Sequence, residues 1–200
     1  MRLLLYGGTF DPPHLGHMNN LRAAMDLVGP DRVIVMPAGI PPHKAASSTP
    51  AEQRLAMCAC FTALGPGVGV SRWEIDRGGR SYTVETLEML HRAYLGAELY
   101  LSVGSDMLLT FREWRSWRHI LELAPLVVES RQGGDAPALH RMADSLKEDG
   151  GRILFAHAPA FECASSTLRA RLRAGDDSAR KLLPPPVPEL IDNYGLYKAK

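Results

Sequence analysis

Two rhythms of apolar and polar positions alternate along the chain. Short, dense apolar runs recur at Arg2–Tyr6, Arg32–Met36 (RVIVM), Val68–Ile75, Leu99–Val103, Leu126–Glu129 and Arg152–Ala156. Such runs are what strands buried on both faces require. Between them lie amphipathic segments that predict helices: Leu15–Leu27, Ala51–Leu64, Ser81–Tyr94, Trp114–Leu123, Ala136–Glu148 and Ser166–Ala174. A final short helix, Glu189–Asn193, follows the proline-rich turn Leu183–Pro188. Gly29-Pro30 stops the first helix, Thr49-Pro50 is placed to cap the second, and Ser81 or Thr83 opens the third.

Alternating β and α elements predict a Rossmann-like, doubly wound α/β fold. Its mostly parallel sheet has about five to six strands, with helices on both faces. Residues 1–200 read as one domain, with residues from about 158 to 200 forming a helical C-terminal part. Ligands of such folds bind beyond the carboxyl ends of the strands. Gly7–His17, Pro37–Lys44 and Gly104–Asp106 follow the first, second and fourth strands, so all three belong on one rim.

Composition narrows the class. Of 200 residues, 46% are hydrophobic and 22% charged, as in a soluble globular protein. A net charge of +1 gives no global basic field, so nucleic acid is not the expected partner. No apolar run approaches the roughly 20 residues of a membrane helix. The run Leu3–Tyr6 is cut short by Gly7-Gly8, unlike a signal peptide. Three cysteines, Cys58, Cys60 and Cys163, are too few for a disulfide framework and fit a reducing compartment. Cys58 and Cys60 read as core residues, with metal binding a remote option. A cytoplasmic enzyme is expected.

The densest chemistry follows the first strand, in GGTFDPPHLGH (Gly7–His17). Gly7-Gly8 permits close approach of a ligand to the backbone. His14 and His17, three apart, share one face of a first helical turn, where free N–H groups favour phosphate. Structural histidines or a two-histidine metal site are alternatives. GxxxxGK[ST], GxGxxG and GxSxG patterns are absent. SSTLR (Ser165–Arg169) suits a triphosphate through a capped helix start and a forked cation. A plain capped helix is the other reading. Lys44, in a proline-stiffened loop, is a phosphate ligand or a solvated lysine.

The stretch Gly8–His17 matches the GxFxPxHxGH signature, and the chain resembles the bacterial nicotinate-nucleotide adenylyltransferases of the HxGH-motif nucleotidyltransferase superfamily. PPHK (Pro41–Lys44), SYTVETL (Ser81–Leu87), GSDMLLTFREW (Gly104–Trp114), SSTLR and LLPPPVPELIDNYGLY (Leu182–Tyr197) extend the likeness over nearly the whole chain. The resemblance implies transfer of the adenylyl group of ATP to nicotinate mononucleotide. The products would be deamido-NAD and pyrophosphate, formed by direct in-line attack with Mg²⁺ on the ATP phosphates. It implies catalytic roles for His14, His17 and Arg169. ATP would meet Gly8, Thr9, Phe10, Gly104, Asp106, Ser165, Ser166 and Thr167 as well. The mononucleotide would meet Gly8, Thr9, Lys44, Thr83, Asp106, Trp114, Arg115 and Arg131. Asp106 would take a ribose or cap the next helix. Trp114 would stack on the pyridine ring, while Trp117 packs. Room is left for a homodimer. Gly39 stands where many relatives carry a polar residue such as Asn, and Arg115 where an aromatic is common. Nicotinamide mononucleotide or phosphopantetheine as acceptor, or a non-catalytic nucleotide-binding regulator, are the competing readings.

Overall fold

A computed structural model of the chain describes residues 1–40, 47, 49–131, 137–159, 161 and 163–198. Each dense apolar run becomes a parallel strand: β1 (Arg2–Gly8), β2 (Arg32–Pro37), β3 (Val68–Val70), β4 (Glu98–Gly104), β5 (Leu126–Arg131) and β6 (Ile153–Ala158). Their order in the sheet is β3-β2-β1-β4-β5-β6. The chain fills one half outward from β1, then returns to β1's other side. The switch between β1 and β4 leaves a crevice at their carboxyl ends, where ligands of open α/β sheets bind.

Alternation along each strand sorts the core into two layers. Leu4, Tyr6, Val33, Val35 and Val127 face one side, and Leu3, Leu5, Ile34, Met36 and Leu101 the other. The first layer packs against α1 (Leu15–Val28), α2 (Ala51–Cys58), α8 (Ser165–Arg173) and α9 (Val187–Tyr194). The second packs against α4 (Thr83–Ala93), α5 (Ser105–Leu109), α6 (Trp117–Leu123) and α7 (Pro137–Glu148). Helix α3 (Trp73–Arg77) borders β2. The expected α/β class, parallel sheet and helices on both faces are all present. Cys58 and Cys60 are buried core residues, and burial pushes both thiols up, that of Cys60 to about 12.

Local boundaries depart from the sequence reading in several places. The strand expected over Val68–Ile75 ends at Val70, and Trp73–Arg77 turns into α3. Its apolar residues serve two elements, separated where Ser71 N–H donates to Val35 C=O at 2.8 Å. The helix expected from Trp114 begins at Trp117, because Trp114 closes a 3₁₀ turn at Phe111–Glu113. The segment Ala51–Leu64 is helical only to Cys58 and tightens into 3₁₀ geometry over Ala59–Leu64. The expected Thr49 cap is absent: Pro50 occupies the N-cap of α2 without a side-chain bond.

Candidate active site

The loop from β1 to α1 sets the floor of the site. His14 is the N-cap of α1, and two histidines build a reciprocal capping box. His17 N–H donates to His14 Nδ1 at 3.3 Å, and His14 N–H donates to His17 Nδ1 at 3.2 Å. With each Nδ1 accepting, a neutral ring carries its hydrogen on Nε2. The rings stack with centroids 3.7 Å apart, an arrangement two imidazolium ions would resist. Burial lowers the His14 pKa to about 4. The motif's glycine is sterically required: a Cβ on Gly16 would stand 2.9 Å from His14 Nδ1 and 2.8 Å from the Phe161 ring. The Phe10 backbone has a φ of 50°, and its ring lies across Gly8, where a Cβ would meet it at 2.7 Å.

Asp11, 4% exposed, joins this loop to distant parts of the chain. Tyr197 Oη donates to its Oδ1 at 2.5 Å and Ser47 Oγ to its Oδ2 at 2.7 Å. Burial works against the Asp11 carboxylate, but hydroxyls of Thr49, Tyr197 and Ser47 and the Arg169 cation outweigh it and hold its pKa low. Arg169 Nη1 donates to Asp11 C=O at 2.7 Å and stands 3.7 Å from Oδ2.

Helix α8 begins at Ser165, one residue before the expected start. Its N-cap is Ala164, with no side-chain cap. Ser165, Ser166 and Thr167 therefore form the first turn instead of capping it, and Ser165 Oγ donates to Pro12 C=O at 2.9 Å. Asp106 lies in the first turn of α5 and does not cap it.

Two cavities meet at Gly7, Gly8, Thr9 and Ser102. The larger, about 980 Å³, is lined by Phe10, His14, His17, Gly104, Asp106, Ser165, Ser166 and Arg169 among others. The smaller, about 210 Å³, is mostly apolar and is lined by Met36, Glu74, Ser81, Thr83, Trp114 and Arg115 among others. Trp114 Nε1–H is buried and has no acceptor among the described residues. Arg115 Nη1 pairs with Glu85 at 3.1 Å, and its guanidinium lies 4.6 Å from the centre of the Tyr82 ring. Its charge is thus directed to the surface of α4. Thr167 is in the α8 turn beside Ser166 but does not line either cavity. Lys44 lies outside the described residues, as does the side chain of Arg131 at the end of β5.

Three further groups carry weight that the sequence reading missed. Arg54 is 2% exposed and binds three backbone carbonyls. Its sequence signal is a cation sharing the buried stripe of α2 with Met57 and Cys58. Glu74, pushed up by burial, accepts from Thr86 Oγ1 at 2.6 Å. Glu129 accepts from Asn20 Nδ2 at 2.7 Å and Ser102 Oγ at 2.8 Å, and burial raises its pKa to about 7.

Comparison with known proteins identifies the family and the fold. The cytidylyltransferase-like family model matches residues 5–171. A protein of Acidithiobacillus ferrooxidans named probable nicotinate-nucleotide adenylyltransferase is 39% identical over 98% of this chain and 96% of its own. One of Symbiobacterium thermophilum with the same name is 37% identical over 98% and 95%. The Plasmodium falciparum nicotinic acid mononucleotide adenylyltransferase complexed with NaAD shares the fold, with a TM-score of 0.78, 16% identity, and 98% and 97% of the two chains covered. The same enzyme complexed with APC superposes with a TM-score of 0.78 at 18% identity, over 98% and 96%. The chain belongs to the cytidylyltransferase-like family, and within it to the nicotinate-nucleotide adenylyltransferases.

Proposed function

We propose that the protein transfers the adenylyl group of ATP to nicotinate mononucleotide, releasing pyrophosphate and deamido-NAD. The observation that carries this reading is the junction of a large polar cavity and a small apolar one at Gly8-Thr9. A triphosphate fits the larger, where two Nε2–H donors, the first turn of α8 and Arg169 converge. A planar pyridine fits the smaller, beside Trp114 and Thr83. The mononucleotide phosphate then lies near the junction, in line for the α-phosphorus. A bond forms from its oxygen to that phosphorus as the bond to the pyrophosphate oxygen breaks, and the electron pair leaves with pyrophosphate. No covalent enzyme intermediate is needed, so positioning and charge neutralisation supply the rate.

His14 and His17 act as neutral donors to phosphoryl oxygens, with His17 stabilising charge on the departing pyrophosphate. Arg169 adds a fixed cation. Asp106 accepts from a ribose hydroxyl, and Lys44 and Arg131 neutralise the acceptor phosphate. Magnesium would arrive chelated by the ATP phosphates and would neutralise charge on the departing pyrophosphate. Residues 1–200 act as one catalytic unit, because α8 and α9 pack into the same apolar layer as α1.

The test is pyrophosphate release with ATP, Mg²⁺ and either nicotinate or nicotinamide mononucleotide. Turnover is expected with both present and a kcat/KM at least about tenfold higher for the acid, worth about 1.4 kcal/mol. No turnover with any mononucleotide would leave a nucleotide-binding regulator as the better reading.

A further inference from the structure

Arg54 is a buried cation in an unusual position. It reaches from α2 beneath the loops that follow β1 and β2. Nη1 donates to Thr9 C=O at 2.8 Å, Nη2 to Gly39 C=O at 3.1 Å, and Nε to Thr49 C=O at 3.3 Å. No carboxylate lies within ion-pair distance of it among the described residues, although the charge of Asp11 is felt there. Three neutral carbonyls hold a full charge at 2% exposure. An apolar residue of similar size would avoid the desolvation that this cation incurs. Packing alone therefore gives no reason for an arginine here.

The orientation of the peptides supplies one. In a trans peptide the C=O and the N–H point in opposite directions. Gly8 C=O is held by Ala38 N–H at 2.8 Å, and Thr9 C=O by Arg54. The N–H groups that follow, on Thr9 and Phe10, face away from those partners. Neither donates to a described residue, and both residues line the larger cavity. Successive N–H groups turned to one side make an anion-binding concavity. We propose that Arg54 is a positioning residue: its fork fixes the Thr9 carbonyl and thereby aims the Phe10 N–H at a phosphoryl oxygen in the larger cavity. Its bonds to Gly39, whose N–H donates to the cavity-lining Ser81, and to Thr49 tie the same guanidinium to the loop after β2 and to the start of α2.

The inference rests on the adenylyl-transfer reading only for its kinetic readout. Arg54→Lys keeps the charge and loses the planar fork. Its kcat, normalised to the folded, active fraction, should fall roughly 100-fold, the usual scale for losing one preorganised N–H donor. The Michaelis constants should move less than about fivefold, since the contact tightens in the transition state. A Lys variant within about threefold of the parent kcat, or a loss confined to the Michaelis constants, overturns the proposal. A variant that fails to fold is covered by a measurement on the parent protein. With ¹⁵N-phenylalanine labelling, a non-hydrolysable ATP analogue should shift the Phe10 amide proton downfield, as a new charged acceptor requires. An unmoved Phe10 amide in a protein whose other amides report the analogue bound overturns it equally. That measurement needs no turnover, so it separates failure of this inference from failure of the adenylyltransferase reading.

Discussion

His14 shows how one residue's proton inventory links the fold to the chemistry. Its Nδ1 accepts a hydrogen bond in a helix cap, a role the ring can fill only while neutral, with its hydrogen on Nε2. Its folded pKa, about 4, lies below the ordinary value of 6.5. Between those values the unfolded chain binds more protons, so stability is complete above pH 6.5 and is lost as the pH falls toward 4. The full effect is about 3 kcal/mol. In urea melts, the stability advantage of the parent over His14→Gln should shrink by an amount of this order from pH 7 to pH 4. An advantage flat across that interval would contradict the assignment. The histidines and Arg169 were legible because their motifs are short and contiguous. Arg54 and the Asn20–Ser102–Glu129 cluster were not. Their partners lie far apart in sequence, 109 residues for Asn20 and Glu129, and no local pattern marks such a pair.

At the scale of elements, the strands were read well and the turns between them poorly. Apolar density identifies β1, β2, β4, β5 and β6 to within two residues at either end. It fails at Val68–Ile75 because a strand and a short helix both bury apolar side chains, and nothing but a hydrogen-bond switch at Ser71 divides them. Gly39, after β2, illustrates the same limit. By resemblance it stands where many relatives carry a polar residue such as Asn. In the fold, a Cβ there would lie 2.7 Å from the Glu74 carbonyl oxygen, while Gly39 N–H donates to Ser81 Oγ at 3.0 Å. The carbonyl belongs to rigid backbone, so Gly39→Ala must displace the loop. It should cost about 1–3 kcal/mol of stability and raise the Michaelis constant for the mononucleotide several-fold with that for ATP little changed. Steady-state kinetics beside a thermal melt distinguish the two effects.

Across the whole molecule, β/α alternation and right-handed crossovers leave few strand orders, and the sheet adopts β3-β2-β1-β4-β5-β6. That order places the first motif beside those after β4 and at the start of α8. The site is thus assembled from both ends of the chain. Among the described hydrogen bonds, that of Tyr197 to Asp11 has the longest span, a sequence separation of 186. Tyr197→Phe removes a bond to a buried carboxylate and should cost about 1.5–3 kcal/mol in urea unfolding. Asp11 depends on that hydroxyl for part of its lowered pKa. A folded pKa below the unfolded one gives stability that is present above the unfolded value and lost as pH falls. The variant should therefore begin to unfold at a higher pH on acidification than the parent. Equal acid midpoints would exclude this role for Tyr197.

The Asp11–Tyr197 bond also bears on how the protein is made. Synthesis proceeds from the amino terminus at about 5–20 residues per second, so Asp11 is made roughly 10–40 s before its tyrosine exists. Through that interval the loop bearing both histidines has a carboxylate that cannot be buried with its final donors. Pairing of β1 with β2 needs only residues up to Pro37, whereas this bond needs Tyr197. A chain still short of Tyr197 therefore lacks a bond that helps keep the Asp11 carboxylate ionised in the loop of the two histidines.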